Sequence, residues 1–188
     1  MIDHLQHFPA KLAAHRLFSE AEPDPVCWRA IKAAAVDLDH VTNIAGPIVR
    51  ALVSFDHQGG FNADANGEIA FAMAVHDEDA ETVIDLVAWS ARAPATFGTM
   101  FGAGVLGVDN LLNPSSFVDG PCILWKSPLR WLQSGCRGAV ILNFAEARDA
   151  LHGAPGPVTT ETLQQAESLL RAGVVPGAKL HVPPVWGA

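Results

Sequence analysis

The chain has 188 residues, 20 of them acidic and 12 basic, with a formal net charge of −8, 49% hydrophobic residues and 17% charged ones. That length builds one domain whose core needs no disulfide or structural metal, and the negative balance works against nonspecific attachment to nucleic acid or anionic lipid. No apolar run reaches the ~18–20 residues of a membrane span, and Met1–Pro9 lacks the basic and apolar regions of a secretory signal. The expectation is a soluble, cytoplasmic protein without membrane contact. Cys27, Cys122 and Cys136 are odd in number and lack CxxC spacing, so they read as small core hydrophobes in a reducing compartment.

Residues 1–20 read as a short polar helix begun or interrupted at Pro9, part of an N-terminal helical segment of about 1–40. Asp24 as cap and Pro25 in the first turn predict a helix over 25–38, with Cys27, Ile31, Ala34 and Leu38 on one face. Gly46-Pro47 then ends a loop. The β-branched run Ile48–Phe55 predicts a strand. In Glu68–His76, Ile69, Phe71, Met73 and Val75 alternate with small or polar residues, and the acidic Asp77–Ala80 stretch turns the chain into Thr82–Ser90. These two segments predict an antiparallel hairpin, in which Asp85 shares a face with Val83, Val87 and Trp89.

Residues 94–114 loosen into Gly-rich sequence, with a short helix around Phe101–Leu112. Strand Cys122–Lys126, cap Ser127, first-turn Pro128, stop Gly135 and strand Gly138–Asn143 predict a compact βαβ unit. A helix near Ala145–His152 follows. The next begins at Thr159 or Thr160 and runs to Ala172, with Leu163, Ala166, Leu169 and Leu170 facing inward. A late strand, Lys179–Val182, precedes a Pro-rich end carrying Trp186. The whole predicts an α+β fold, with α/β as the alternative. It is a single domain over 1–188, with a mixed sheet of about five or six strands and helices mainly on one face.

Two motifs match on paper and fail in context. Gly102-Ala103-Gly104-Val105-Leu106-Gly107 spells GxGxxG, yet the preceding strand ends a dozen residues too early and no strand-terminal acid follows at the required distance. No cofactor is expected. Asn62–Ile69 copies the first eight positions of a calcium loop, but Met73 stands where the bidentate Glu belongs, so Asn66-Gly67 reads as a hairpin turn.

The charges are segregated. Asp56, Asp64, Glu68, Asp77, Glu78, Asp79, Glu81 and Asp85 fall between Arg50 and Arg92 with no cation among them, whereas Lys126, Arg130 and Arg137 fall between Asp119 and Glu146 with no acid. In the acidic half, Asp56, His57, His76, Asp77 and Asp85 offer carboxylates and imidazoles at strand ends. Together they would hold a divalent cation and activate water, the chemistry of a metal-dependent hydrolase. The competing reading is a solvated acidic rim of turn residues.

In the basic half, Trp125, Lys126, Arg130, Trp131 and Arg137 combine the residue types most enriched at binding hot spots. Lys126, Arg130 and Arg137 would also support a weak nucleic-acid or nucleotide binder, although three cations allow few phosphate contacts and the −8 total works against that partner. No GxSxG or SxxK pattern is present, and Cys136 beside Arg137 has no partner histidine by spacing. The leading expectation is therefore a non-catalytic interaction or accessory protein. It would bind another protein, or a second copy of itself, through the 125–137 region, with the metal hydrolase and the nucleic-acid binder as alternatives.

Overall fold

The computed structural model describes residues 12–13 and 25–181. Pro25 opens α1 (Pro25–Ala33), which ends earlier than the predicted 38, at a turn where Ala35 takes a positive φ of 60°. Asp37 then caps a second helix, α2 (Leu38–Ala45), its carboxylate accepting from the His40 N–H at 3.3 Å. Gly46-Pro47 thus closes a helix rather than a loop. The caps and helix placed before residue 25 lie outside the described residues, apart from Leu12 and Ala13, as does Trp186.

Six helices and ten strands are described, an α+β arrangement as expected. The strands, however, divide between two five-stranded sheets instead of joining one. The first sheet holds β1 (Val49–Phe55), β2 (Phe61–Ala63), β3 (Glu68–His76), β4 (Val83–Ser90) and β5 (Phe97–Thr99), antiparallel in the order β2-β1-β3-β4-β5. The β3–β4 hairpin is the one predicted, with Ala70↔Ser90 and Ala74↔Leu86 in register. Asn66-Gly67 does not join paired strands. Both β2 and β3 pair with β1, at Val53↔Ala63 and Val53↔Glu68, so the turn carries the chain across β1.

This sheet curls until its edges meet. Gly60 bridges Thr99, and the Thr99 N–H donates to the Gly59 carbonyl at 3.0 Å. A Cβ on Gly98 would stand 2.8 Å from the Gly59 and Gly60 carbonyl oxygens, so only glycine permits the closure. One face of the sheet gathers Val53, Phe61, Ala70, Ala72, Ala74, Leu86 and Ala88 into a cluster of its own. The other face presents Phe71, Met73, Val75, Val87 and Trp89 to the rest of the molecule, with the cross-strand Phe71 and Trp89 rings 5.9 Å apart and tilted at 56°.

The second sheet is mixed. It contains β6 (Val105–Leu106), β7 (Cys122–Trp125), β8 (Ala139–Ile141), β9 (Val158–Thr160) and β10 (Leu180–His181) in the order β10-β9-β7-β8-β6. The expected βαβ unit is here: β7 and β8 are parallel, joined by α4 (Pro128–Gln133) with Ser127 as its N-cap. Between β6 and β7 lie α3 (Val108–Leu112) and a 3₁₀ turn at Pro114–Phe117, where a single helix over 101–112 was predicted. The Val158–Thr160 segment read as a helix start is instead β9, at the centre of the β10-β9-β7 ladder. Thr162 caps the helix that follows α5 (Arg148–Gly153), namely α6 (Leu163–Ala172). On α6, Ala166 and Leu169 are buried while Leu163 and Leu170 are exposed.

One face of the second sheet packs Cys122, Leu124 and Ala139 against Leu111, Leu151, Ala166 and Leu169 of the helices. The opposite face contributes Leu106 and Val140 to the cluster shared with the first sheet, α1, α2 and α4. That shared cluster covers the face only in part, and the uncovered remainder forms the candidate site.

Candidate functional site

The acidic residues do not assemble. Because β1 and β3 are antiparallel, Asp56-His57 leaves β1 beside the start of β3, whereas His76-Asp77 leaves the far end of β3. The nine residues of β3, eight steps of extended strand or about 26 Å, separate the two ends. Asp56 accepts from the Gln58 and Gly60 N–H groups, both at 2.8 Å, which holds its carboxyl below the usual value. It shapes the turn that delivers Gly60 to Thr99. His57 is exposed beside it. Asp77 and Asp79 shape the β3–β4 tip: Asp77 accepts from the Glu78 N–H at 2.8 Å, and Asp79 accepts from the Glu81 and Thr82 N–H groups and the Thr82 hydroxyl at 2.7–2.8 Å. Those bonds take the Asp79 carboxyl down to about 2.

His76 sits half-buried in a crevice with Ile44, Leu106, Gly107, Asp109 and Trp131. Burial lowers its pKa, and the charges of Asp109 and Asp79 oppose that shift. Among the described residues, no group of three or more His, Cys, Asp or Glu side chains lies close enough to hold a metal ion.

Asp85 has a different role. It is only 1% exposed, and its carboxylate accepts from the N–H groups of Leu86 at 2.6 Å, Met100 at 3.1 Å, Phe101 at 2.9 Å and Ala103 at 2.6 Å. Burial pushes the carboxyl up, and the four donors pull it back. Of the glycine-rich motif's own amides, that of Ala103 is taken by this carboxylate of the same chain, and Gly104 packs against the Glu146–Ala147 backbone. Asp85 therefore anchors a loop.

The five basic-segment candidates separate into core and surface. Trp131 is 4% exposed and belongs to the core, its indole N–H donating to the Gly138 carbonyl at 3.0 Å, so it is withdrawn from any interface. Arg130 pairs with Glu161 at 2.9 Å and lies 5.9 Å from the Trp125 ring centroid. Glu161 also accepts from the Lys126 N–H at 2.8 Å. This bracket fixes Trp125, whose indole N–H donates to the Arg137 carbonyl at 2.6 Å. The exposed Lys126 ammonium and Arg137 guanidinium make no hydrogen bond or ion pair among the described residues.

Beside Trp125 opens a cleft of about 680 Å³. Its floor is the uncovered part of the second sheet: Ile123 and Trp125 of β7 and Thr159 of β9 project to the side opposite the buried Cys122, Leu124, Val158 and Thr160. Its walls come from Asn110, the 115–121 loop and Arg137-Gly138. Of the residues predicted to bind, Trp125 and Arg137 reach this cleft, and Lys126 follows directly in sequence. Ile123, Thr159 and the wall residues were missed. Their signal was the alternation of Ile123 and Trp125 along a short strand, which becomes a floor only once β9 is laid beside it.

Cys122 and Cys136 are buried free thiols, pushed by burial to about 11 and about 12 respectively, with the Asp109 charge adding to each shift. Neither is an activated nucleophile at neutral pH. Among the described residues, no helix is long and apolar enough to cross a membrane. No family model, curated protein or solved structure matches the chain.

Proposed function

We propose that the protein is a non-catalytic interaction or accessory protein that engages another protein at the cleft beside Trp125, in a cytoplasmic setting consistent with its buried free thiols. The observation that carries this reading is the uncovered floor: Ile123 is 36% exposed on a strand whose alternate residues are fully packed. An aliphatic side chain next to a fixed indole, with an unpaired guanidinium on the rim, combines apolar area with a directional charge, as interface anchors do. The Arg130–Glu161 bracket supports the same reading, because it holds Trp125 in place before a partner arrives and so reduces the ordering cost of binding. It also takes Arg130 away from phosphate recognition, leaving Lys126 and Arg137 as the available cations of the segment. The acidic side chains favour structural roles over hydrolysis, since Asp56, Asp77 and Asp79 bond their own turns and Asp85 anchors the 100–103 loop.

A photo-crosslinking residue placed at Ile123, with the same residue at exposed Glu167 on α6 as control, tests the proposal in cells. A discrete protein adduct is expected at 123 and not at 167, and Arg137→Glu should abolish it. Equal labelling at both positions, or adducts indifferent to Arg137→Glu, would overturn the reading.

A further inference from the structure

Two places in the chain set an asparagine or aspartate before a glycine, Asn66-Gly67 and Asp119-Gly120. At either, the glycine nitrogen can attack the preceding side-chain carbonyl and close a five-membered imide, since glycine has no side chain to hinder the approach. By composition Asn66-Gly67 is the more reactive, because an amide expels ammonia more readily than a carboxyl expels water. The fold works against that order. We infer that Asp119-Gly120, on the wall of the cleft, is a site of spontaneous isoaspartate formation in the folded protein, whereas folding shields Asn66-Gly67.

Attack needs an amide free to swing, a side chain free to turn and room for the ring. At Asn66-Gly67 none of these is met. The Gly67 N–H donates to the Asp64 carbonyl at 2.9 Å, the Asn66 N–H donates to the Asp64 carboxylate at 2.9 Å, and a Cβ on Gly67 would collide with the Val53 carbonyl of β1. At Asp119-Gly120 all three are met. The Gly120 N–H reaches the Phe117 carbonyl only at 3.4 Å, beyond the ~2.7–3.2 Å of a well-formed bond. The exposed Asp119 carboxylate has no hydrogen bond or ion pair among the described residues, and a Cβ on Gly120 would meet nothing within 4 Å. Val118, just before them, is 79% exposed, which marks the segment as a loop tip.

The reaction needs only water. The bond from the Gly120 nitrogen to the Asp119 Cγ forms as the amide proton and the hydroxyl of the protonated carboxyl leave as water. Water then opens the imide, and opening at the main-chain carbonyl leaves the backbone running through the former side-chain carboxyl. The isomer keeps its mass, lengthens the main chain by a methylene and displaces the carboxylate that Asp119 presents to the cleft. Its bearing on binding rests on the role proposed for the cleft, and the modification itself does not.

Peptide mapping of the full chain, incubated at neutral pH either folded or unfolded in guanidinium chloride, tests this. Isoaspartate at 119 is read from its separate elution at unchanged mass and from labelling of that peptide by an isoaspartyl carboxyl methyltransferase. Deamidation at 66 is read from its gain in mass. Comparing folded with unfolded chain at each position cancels the intrinsic difference between asparagine and aspartate. Folding should slow position 66 by about tenfold or more, because its amide is free only in locally opened molecules, and position 119 by less than about threefold. Asp119→Glu keeps the charge but requires a less favourable six-membered ring, so it should remove the labelled species from that peptide and leave position 66 as before. Equal protection at the two positions, stronger protection at 119, or no isoaspartate at 119 in the folded chain would each overturn the inference, whatever the crosslinking at Ile123 shows of the cleft's partner.

Discussion

Replacing Asp85 by alanine removes the acceptor of the Leu86, Phe101 and Ala103 amides and one of two acceptors of the Met100 amide, which also donates to the Leu86 carbonyl at 3.1 Å. A hydrogen bond to a charged group contributes about 1.5–3 kcal/mol net, and an orphaned buried donor costs about 1–3 kcal/mol. Leu86 is fully buried, so its N–H would lose the whole of that contribution. Met100, Phe101 and Ala103 are partly or largely exposed, and water can reach their amides once the loop lifts. Counting one full and two partial losses, with Met100 keeping the Leu86 carbonyl, and crediting the relief of a desolvated charge, leaves Asp85→Ala destabilised by about 3 kcal/mol. For a chain of this size that corresponds to a fall of about 6–12 °C in Tm. Asp85→Asn keeps the shape but turns an amide N–H toward one of the donors, so it should recover only part of the loss. Chemical denaturation gives the free energy, and amide hydrogen exchange at 100, 101 and 103 locates it. If Asp85→Ala lies within about 0.5 kcal/mol of wild type and those amides remain protected, the loop holds itself and the anchoring argument is wrong.

Closure of the first sheet predicts that Gly98→Ala, which drives a Cβ onto the Gly59–Gly60 backbone, costs about 1–3 kcal/mol and speeds exchange at the Thr99 amide. An unchanged melting curve would show that the edges do not meet. Trp131→Ala should cost about 3–5 kcal/mol as a core truncation, whereas Trp125→Ala should cost less in stability and abolish the adduct at position 123. Equal destabilisation by the two would contradict the division into core and surface. For His76, the folded pKa lies below the unfolded value near 6.5, so the unfolded chain binds its proton more readily. Stability from this group is therefore full at higher pH and declines as pH falls through about 6.5 toward the folded value. Asp109→Asn removes a charge that raises the folded pKa, so an NMR titration of His76 should shift further down, and an upward shift would refute the assignment.

What could be read from the sequence was what neighbouring residues decide among themselves. The alternation in Glu68–His76 and Val83–Ser90 specifies a hairpin because side chains on a strand take opposite faces by turns. Ser127-Pro128 specifies a helix start because one residue accepts a backbone donor and the next lacks one. The acidic and basic stretches were visible in the same way, as was the aromatic and cationic character of Trp125 and Arg137, which line the cleft. What depended on distant residues was not. Asp85 stood out as a charge among apolar neighbours, but three of the amides that satisfy it lie 15–18 residues later, so its role as a loop anchor was hidden. Thr159-Thr160 carries the residue type of a helix cap, and only pairing with β7 on one side and β10 on the other made it a strand. Tertiary structure divided the strands into two sheets, buried Trp131 while leaving Trp125 at the surface, and opened a cleft over Ile123. Each of these outcomes depends on which elements lie side by side, a long-range choice that local periodicity does not encode.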